Sequence, residues 1–116
     1  MKFLLDTNFL LIPVQFKVDI FSELTRFGKP ELYTLDLVKR ELERLKSKQS
    51  KIALELIKKK KVKILKTSGR NTDSEIIKEA GKGFTVCTQD RNLIKELKSK
   101  KISVISLRQK KYLMER

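Results

Sequence analysis

The sequence predicts an α/β sandwich, a parallel sheet covered by helices on both faces. Three features carry that prediction: five short apolar runs of β type, segments of helical periodicity between them, and short turns at their junctions. Strands that alternate with helices pair in parallel through right-handed crossovers.

KFLL opens the chain as the first strand and ends at Asp6, where Asp6, Thr7 and Asn8 break a run of Phe, Leu, Ile and Val. An unpaired carboxylate in apolar surroundings is costly, so the triplet either meets solvent at the strand's end or has a partner. Phe16, Ile20, Phe21, Leu24 and Phe27 recur at helical spacing and predict a helix over 16–27, stopped by Gly28 and Pro30. Its aromatics read as core or dimer contacts, and Asp19 as a solvated residue or local cap. ELYTL is the second strand, and Asp36 caps a helix over 37–47. Ile52 to Ile57 lies on another helix that ends in Lys58 to Lys61. VKIL follows as the third strand, then a turn at Ser68 and Gly69. Thr72 and Glu75 form a capping-box pair, and Gly81 and Gly83 end that helix before the strand FTVCT. Leu93, Ile94 and Leu97 mark a helix leading to ISVISL, and RQKKYLMER is either a basic tail or a final helix. With no repeat and no low-complexity linker, residues 1–116 form a single domain long enough to bury a core.

The 28 Lys and Arg against 14 Asp and Glu give a formal charge of +14, which favours a polyanionic partner, nucleic acid first. No signal-peptide pattern and no membrane-length apolar run is evident, so a soluble, cytoplasmic protein with no membrane partner is expected. The chain has no His and one Cys, which excludes histidine triads, His-ligated zinc and internal disulfides. Cys87, in FTVCT, reads as a small core residue. Carboxylates remain as the catalytic groups.

Ligands of open parallel sheets bind beyond the carboxyl ends of the strands. Asp6 closes the first strand at that edge, Asp90 follows FTVCT, and Asp73 stands in the turn before that strand's preceding helix. At about 100° per residue with Val38 at zero, Leu42 falls at about 40°, Leu45 at about −20° and Glu41 at about −60°. Glu41 is thus expected on the inner side of its helix, between core leucines, whereas Glu43 at about 140° faces solvent. Each acid alone has a structural role open to it, as a helix cap, an Asx-turn or a snorkelling stem. Several acids aimed at one edge repel one another unless a cation joins them, and hard oxygen ligands favour Mg²⁺ or Mn²⁺.

DTNFLL, the acid in LVKREL, TDSEIIKEA, and TVCTQDRNLIKEL followed by ISVISLRQ together resemble the PIN-domain nucleases nearly end to end. DTNFLLIPVQFKVDIF and TQDRNL are most similar to the archaeal branch related to the PIN proteins of small-subunit rRNA processing, which also contains VapC-like ribonucleases. The resemblance implies a three-layer α/β/α fold with a five-stranded parallel sheet ordered 3-2-1-4-5. It implies that Asp6, Glu41, Asp73 and Asp90 form a catalytic, metal-binding site for one or two Mg²⁺ or Mn²⁺ ions. Asn8 would steady Asp6, and Thr88 would line the pocket with its hydroxyl. A further acid found in some relatives has no evident counterpart here unless Glu96 approximates it.

The function so implied is a divalent-metal-dependent endoribonuclease that hydrolyses RNA phosphodiester bonds in rRNA or other RNA processing. Arg91, Lys58, Lys59, Lys60, Lys61, the run Lys98 to Lys101, Arg108, Lys110 and Lys111 are the basic residues available to track RNA. Lysine runs at helix ends equally serve the helix dipole and solubility, and Tyr112 either stacks on a base or packs on the core. Two alternatives stay open: a toxin-type ribonuclease with an antitoxin partner, and a non-catalytic RNA-binding or ribosome-assembly factor. A homodimer is compatible with each. A phosphoacceptor receiver would need an acid after the third strand, and VKILKTSG has none. A dinucleotide-binding domain would need a glycine-rich first turn, and DTNFLL has no glycine.

Overall fold

The computed structural model describes residues 1–116. Strands β1 (Lys2–Leu5), β2 (Glu31–Leu35), β3 (Lys63–Leu65), β4 (Thr85–Cys87), β5 (Val104–Arg108) and β6 (Tyr112–Glu115) form one sheet in the order 3-2-1-4-5-6. The first five strands are parallel, as expected, and the sixth pairs antiparallel with β5. Helices α1 (Thr7–Leu10), α2 (Ile12–Phe16) and α3 (Ile20–Leu24) with a 3-10 turn (Thr25–Phe27) connect β1 to β2. Helices α4 (Asp36–Leu45) and α5 (Lys48–Lys59) connect β2 to β3; α6 (Thr72–Ala80) precedes β4, and α7 (Arg91–Ser99) precedes β5.

β1 is the central strand, and Phe3, Leu4 and Leu5 are all fully buried. Such a run without alternation is what a strand covered on both faces requires. The order of connections reverses between β1 and β4, so the carboxyl ends of these two neighbours frame the switch point at which open α/β sheets bind ligands. Asp6 N–H continues their ladder by donating to the Cys87 carbonyl at 3.0 Å. Cys87 itself is buried in the core.

Four expectations need correction. The segment RQKKYLMER is neither tail nor helix but the turn and strand of a β5–β6 hairpin, which makes the sheet six-stranded and mixed. Gln109 and Lys110, in the middle of its turn, have φ of 53° and 56°. Positive φ at both positions gives the twist a tight hairpin needs, but Asn and Gly usually signal it, and neither is present. The stretch 16–27 is not one helix: Lys17 leaves α2 in the left-handed region at φ 55°, and Asp19 restarts the chain as α3 by accepting from Phe21 and Ser22 N–H at 3.1 Å. Leu45 is 55% exposed rather than core, because α4 ends there, with Lys46 in the left-handed region. The cap of α6 is Asn71, which accepts from Ser74 N–H, and not Thr72, whose hydroxyl is engaged elsewhere.

The free edge of β6 is closed by side chains. Leu113 N–H donates to Glu23 Oε1 at 3.1 Å, and Arg26 donates to the Leu113 carbonyl at 2.7 Å. Satisfying these groups from α3 and its following turn leaves the edge a poor template for another strand. At the hairpin itself, replacing Gln109 with Asn and Lys110 with Gly relieves two strained φ angles. The double variant should gain about 1 kcal/mol or more, read as a higher urea midpoint at unchanged m.

Candidate active site at the carboxyl edge of the sheet

Each residue of the DTN triplet has a different partner. Asp6 is buried at 6% exposure; one oxygen accepts from Thr7 N–H at 2.8 Å and the other from the Thr88 hydroxyl at 2.7 Å. The Thr7 hydroxyl donates to Glu41 Oε2 at 2.7 Å. Asn8 Oδ1 accepts from Gln89 N–H at 3.0 Å and lies 3.4 Å from the Thr88 hydroxyl. Asn8 therefore steadies the end of β4 and reaches Asp6 only through Thr88.

Thr88 is fully buried and links two acids: its hydroxyl donates to Asp6 and accepts from Asp90 N–H at 3.2 Å. Asp90 caps α7, one oxygen accepting from Asn92 and Leu93 N–H. Glu41, half-buried in mid-α4, is clasped between hydroxyls, Thr7 on Oε2 and Thr72 on Oε1 at 2.5 Å. This second bond occupies the hydroxyl that the sequence reading had assigned to capping. Asp73 stands exposed in the first turn of α6.

Burial is the main force raising the Asp6 carboxyl to about 6 from 3.8; the Thr88 and Thr7 hydrogen bonds oppose it, and the charges of Asp73 and Glu41 add to it. Asp73 is also raised, first by its partial burial and then by the charges of Asp90, Glu41 and Glu96. Asp6, Glu41, Asp73 and Asp90 thus form one electrostatically coupled set, and Glu96 contributes to its field. The three ion pairs of the chain are Arg26–Glu23, Arg40–Asp36 and Lys82–Glu79. None of the 28 Lys and Arg pairs with a member of the coupled set.

The donors are all hard oxygens without a cation, which fits Mg²⁺ or Mn²⁺ in kind. No three acidic side chains are arranged to hold a metal ion among themselves, so the set consists of prepositioned donors rather than a formed chelate.

Thr7, Thr72 and Gln89 were missed by sequence reasoning. Gln89 replaces a strand residue: its side-chain oxygen accepts from Leu107 N–H and its amide donates to the Leu107 carbonyl, prolonging the β4–β5 ladder to the acids. Only its place between Thr88 and Asp90 signals this. Asp36 is not an active-site acid. Its partial burial raises its pKa, but the Thr67 hydroxyl and N–H, Leu37 N–H and Arg40 outweigh that and hold it below the ordinary value. Its work is to tie the start of α4 to the loop after β3.

The basic candidates divide by edge. Arg91 directly follows Asp90, and Arg108, Lys110 and Lys111 lie at the carboxyl end of β5, with the Lys110 ammonium 6.0 Å from the Phe16 ring. Lys58 to Lys61 close α5 ahead of β3, and Lys98 to Lys101 close α7 ahead of β5, so both runs lie at the opposite, amino edge. Tyr112 begins β6 and is 38% exposed.

A mostly parallel α/β sheet in this strand order is the fold of the PIN domains. The chain belongs to that family: residues 3–110 match the model of the PIN like domain. It is 34% identical to Ribonuclease VapC4 of Methanocaldococcus jannaschii, over 96% of this chain and 93% of that protein. Among solved structures it resembles the PIN domain endonuclease Utp24, with a TM-score of 0.87 and 25% identity, over 99% of this chain and 90% of that one. A domain of a functionally unknown protein from Methanocaldococcus jannaschii shares the fold at a TM-score of 0.62 and 17% identity, over 92% and 91% of the two chains.

The raised carboxyl of Asp6 has a measurable consequence. Between 3.8 and about 6 the folded chain keeps a proton that the unfolded chain has released, so Asp6 lowers stability as pH rises through that window. The loss is complete above it, on the order of 3 kcal/mol. Asp6→Asn should therefore be more stable than wild type at about pH 7 in chelator, with the difference shrinking toward zero near about pH 4. Urea unfolding at both pH values measures it, and a variant less stable at both would mean that the ionised carboxylate is favoured by its surroundings.

Proposed function

We propose that the chain is a cytoplasmic, divalent-metal-dependent endoribonuclease that hydrolyses RNA phosphodiester bonds, acting in rRNA or other RNA processing. The observation that carries the reading is the coupled set Asp6, Glu41, Asp73 and Asp90, left without a cation in a chain of net charge +14. The relatives named a ribonuclease and a PIN domain endonuclease support it.

In this reading the four acids hold one or two Mg²⁺ or Mn²⁺ ions. When bound, such an ion supplies an acidified water for attack on phosphorus and shields the charge that builds on the phosphate oxygens. Thr88 positions Asp6 through its hydroxyl and fixes the Asp90 backbone, while Thr7 and Thr72 keep the Glu41 carboxylate from swinging to solvent. Asn8 holds the end of β4 in register with β1. Arg91, Arg108, Lys110 and Lys111 attract the phosphate backbone to the acidic edge, in a contact that weakens with salt. The relative at 34% identity favours a second reading, a toxin-type ribonuclease neutralised by an antitoxin, with the same chemistry and a different partner.

Labelled structured RNA incubated with Mn²⁺, Mg²⁺ or chelator tests the proposal. Wild type should cleave with either ion and not with chelator. Asp6→Asn and Asp90→Asn should each abolish cleavage while still unfolding cooperatively. Undiminished cleavage by both purified variants removes the proposal.

A further inference from the structure

A groove adjoins the acids. It has a volume of about 390 Å³, within the size range of small-ligand pockets, and Arg40, Arg44 and Arg70 line it. Three of the seven arginines of a chain with 21 lysines thus face one groove. Glu41 and Thr72 form its border with the acidic set, because both also line it. Arg40 and Arg44 stand one turn apart on α4, a like-charge spacing that by itself disfavours a helix.

These arginines are poorly neutralised. Arg40 lies 3.7 Å from Asp36, in a pair whose arginine is 58% exposed and whose carboxylate is already committed to Thr67 and Leu37. Arg44 and Arg70 pair with no carboxylate. Glu41 has both oxygens bound to threonine hydroxyls. The loop that carries Arg70 is held close to α6: a Cβ on Gly69 would fall 1.9 Å from Glu75 Oε1, so a larger residue there would have to displace the Glu75 side chain. Guanidinium groups present planar, forked donors that match phosphate oxygens, and they do so better than lysine.

We propose that Arg40, Arg44 and Arg70 form a subsite for the RNA phosphate that neighbours the phosphodiester held at the acids. The proposal rests on the ribonuclease reading and adds to it the flank of the site that fixes the strand. The shared border at Glu41 and Thr72 makes the groove continuous with the acidic set. A polyanion drawn to carboxylates needs cations beside them, and this groove supplies three on the α4 side, opposite the side of Arg91.

The test uses the full chain carrying Asp6→Asn, so that RNA is bound without being cut, and fluorescence anisotropy with labelled single-stranded RNA over a range of KCl. Adding Arg44→Gln and Arg70→Gln should weaken binding at least about tenfold and flatten the slope of log K against log salt by about 0.7 per lost phosphate contact. A control of equal charge loss, Lys29→Gln with Lys78→Gln, should change the slope far less. Replacing both arginines with Lys should keep the slope, since the charge remains, while leaving affinity below the parent. Unchanged RNA binding by the glutamine variant, the result expected if a protein partner occupied the groove, overturns the proposal and leaves the ribonuclease reading standing. Failure of wild type to bind or cut RNA with Mn²⁺ overturns both.

Discussion

A carboxylate withdrawn from water at the end of the central strand, with two hydrogen bonds and no Lys or Arg partner, is the constraint around which this molecule is arranged. Asp6 keeps its place because β1 is hydrogen-bonded to β4, and β4 delivers Thr88 to within 2.7 Å of it. Were β4 not adjacent, the Thr88 hydroxyl would be absent and burial would be opposed by one donor instead of two. The doubly wound order of strands is therefore more than a scaffold: it is what allows an acid in DTN and a hydroxyl in TQD to share a proton.

Hydroxyls are the joints of this edge. Thr7, Thr72 and Thr88 each touch an acid, and between them they connect the starts of α1, α6 and α7 with the middle of α4. Threonine suits the task because its branched Cβ restricts χ1, so that placing the backbone nearly places the hydroxyl. A serine would supply the same donor with more rotamers to lose. Glu41 gains most from this: a long side chain at a half-buried position would otherwise snorkel outward, and two hydroxyls from different helices oppose that.

Much of this is legible in the sequence. The interruption of an apolar strand by DTN points to the carboxyl edge of the sheet, and the parallel strand order follows from the family resemblance. The angular position of Glu41 separated it from Glu43, and Leu42 is indeed buried although Leu45 is not. What escaped was carried by lysines in places where glycine or asparagine usually gives the signal. Lys17, Lys46, Lys61 and Lys101 all adopt positive φ at or just past helix ends, and Lys110 does so in the hairpin turn. A chain with 4 glycines ends its helices with residues that look like surface charge, so composition conceals the boundaries. The Arg groove escaped for a different reason. Arg40 and Arg44 come from one helix and Arg70 from a loop, and only the tertiary fold brings them together.

The distribution of charge separates acids that helix dipoles place from acids that they do not. Helix dipoles favour acids at amino ends and lysines at carboxyl ends. In an α/β sandwich every crossover helix starts at the carboxyl edge of the sheet, so that preference alone gathers Asp36, Asp73 and Asp90 at one edge and the lysine runs at the other. The placement of these three acids follows from helix electrostatics, although desolvation and neighbouring acids still raise the Asp73 carboxyl. The placement of Asp6 and Glu41 does not. Glu41 stands in mid-helix, where the dipole has little to offer it. Asp6 caps a helix of four residues, yet with that hydrogen bond and the one from Thr88 already counted its carboxyl is still raised to about 6, a net cost to the ionised form on the order of 3 kcal/mol. Asp6 thus lowers the stability of its own fold at the switch point of the sheet, a cost that helix capping does not offset.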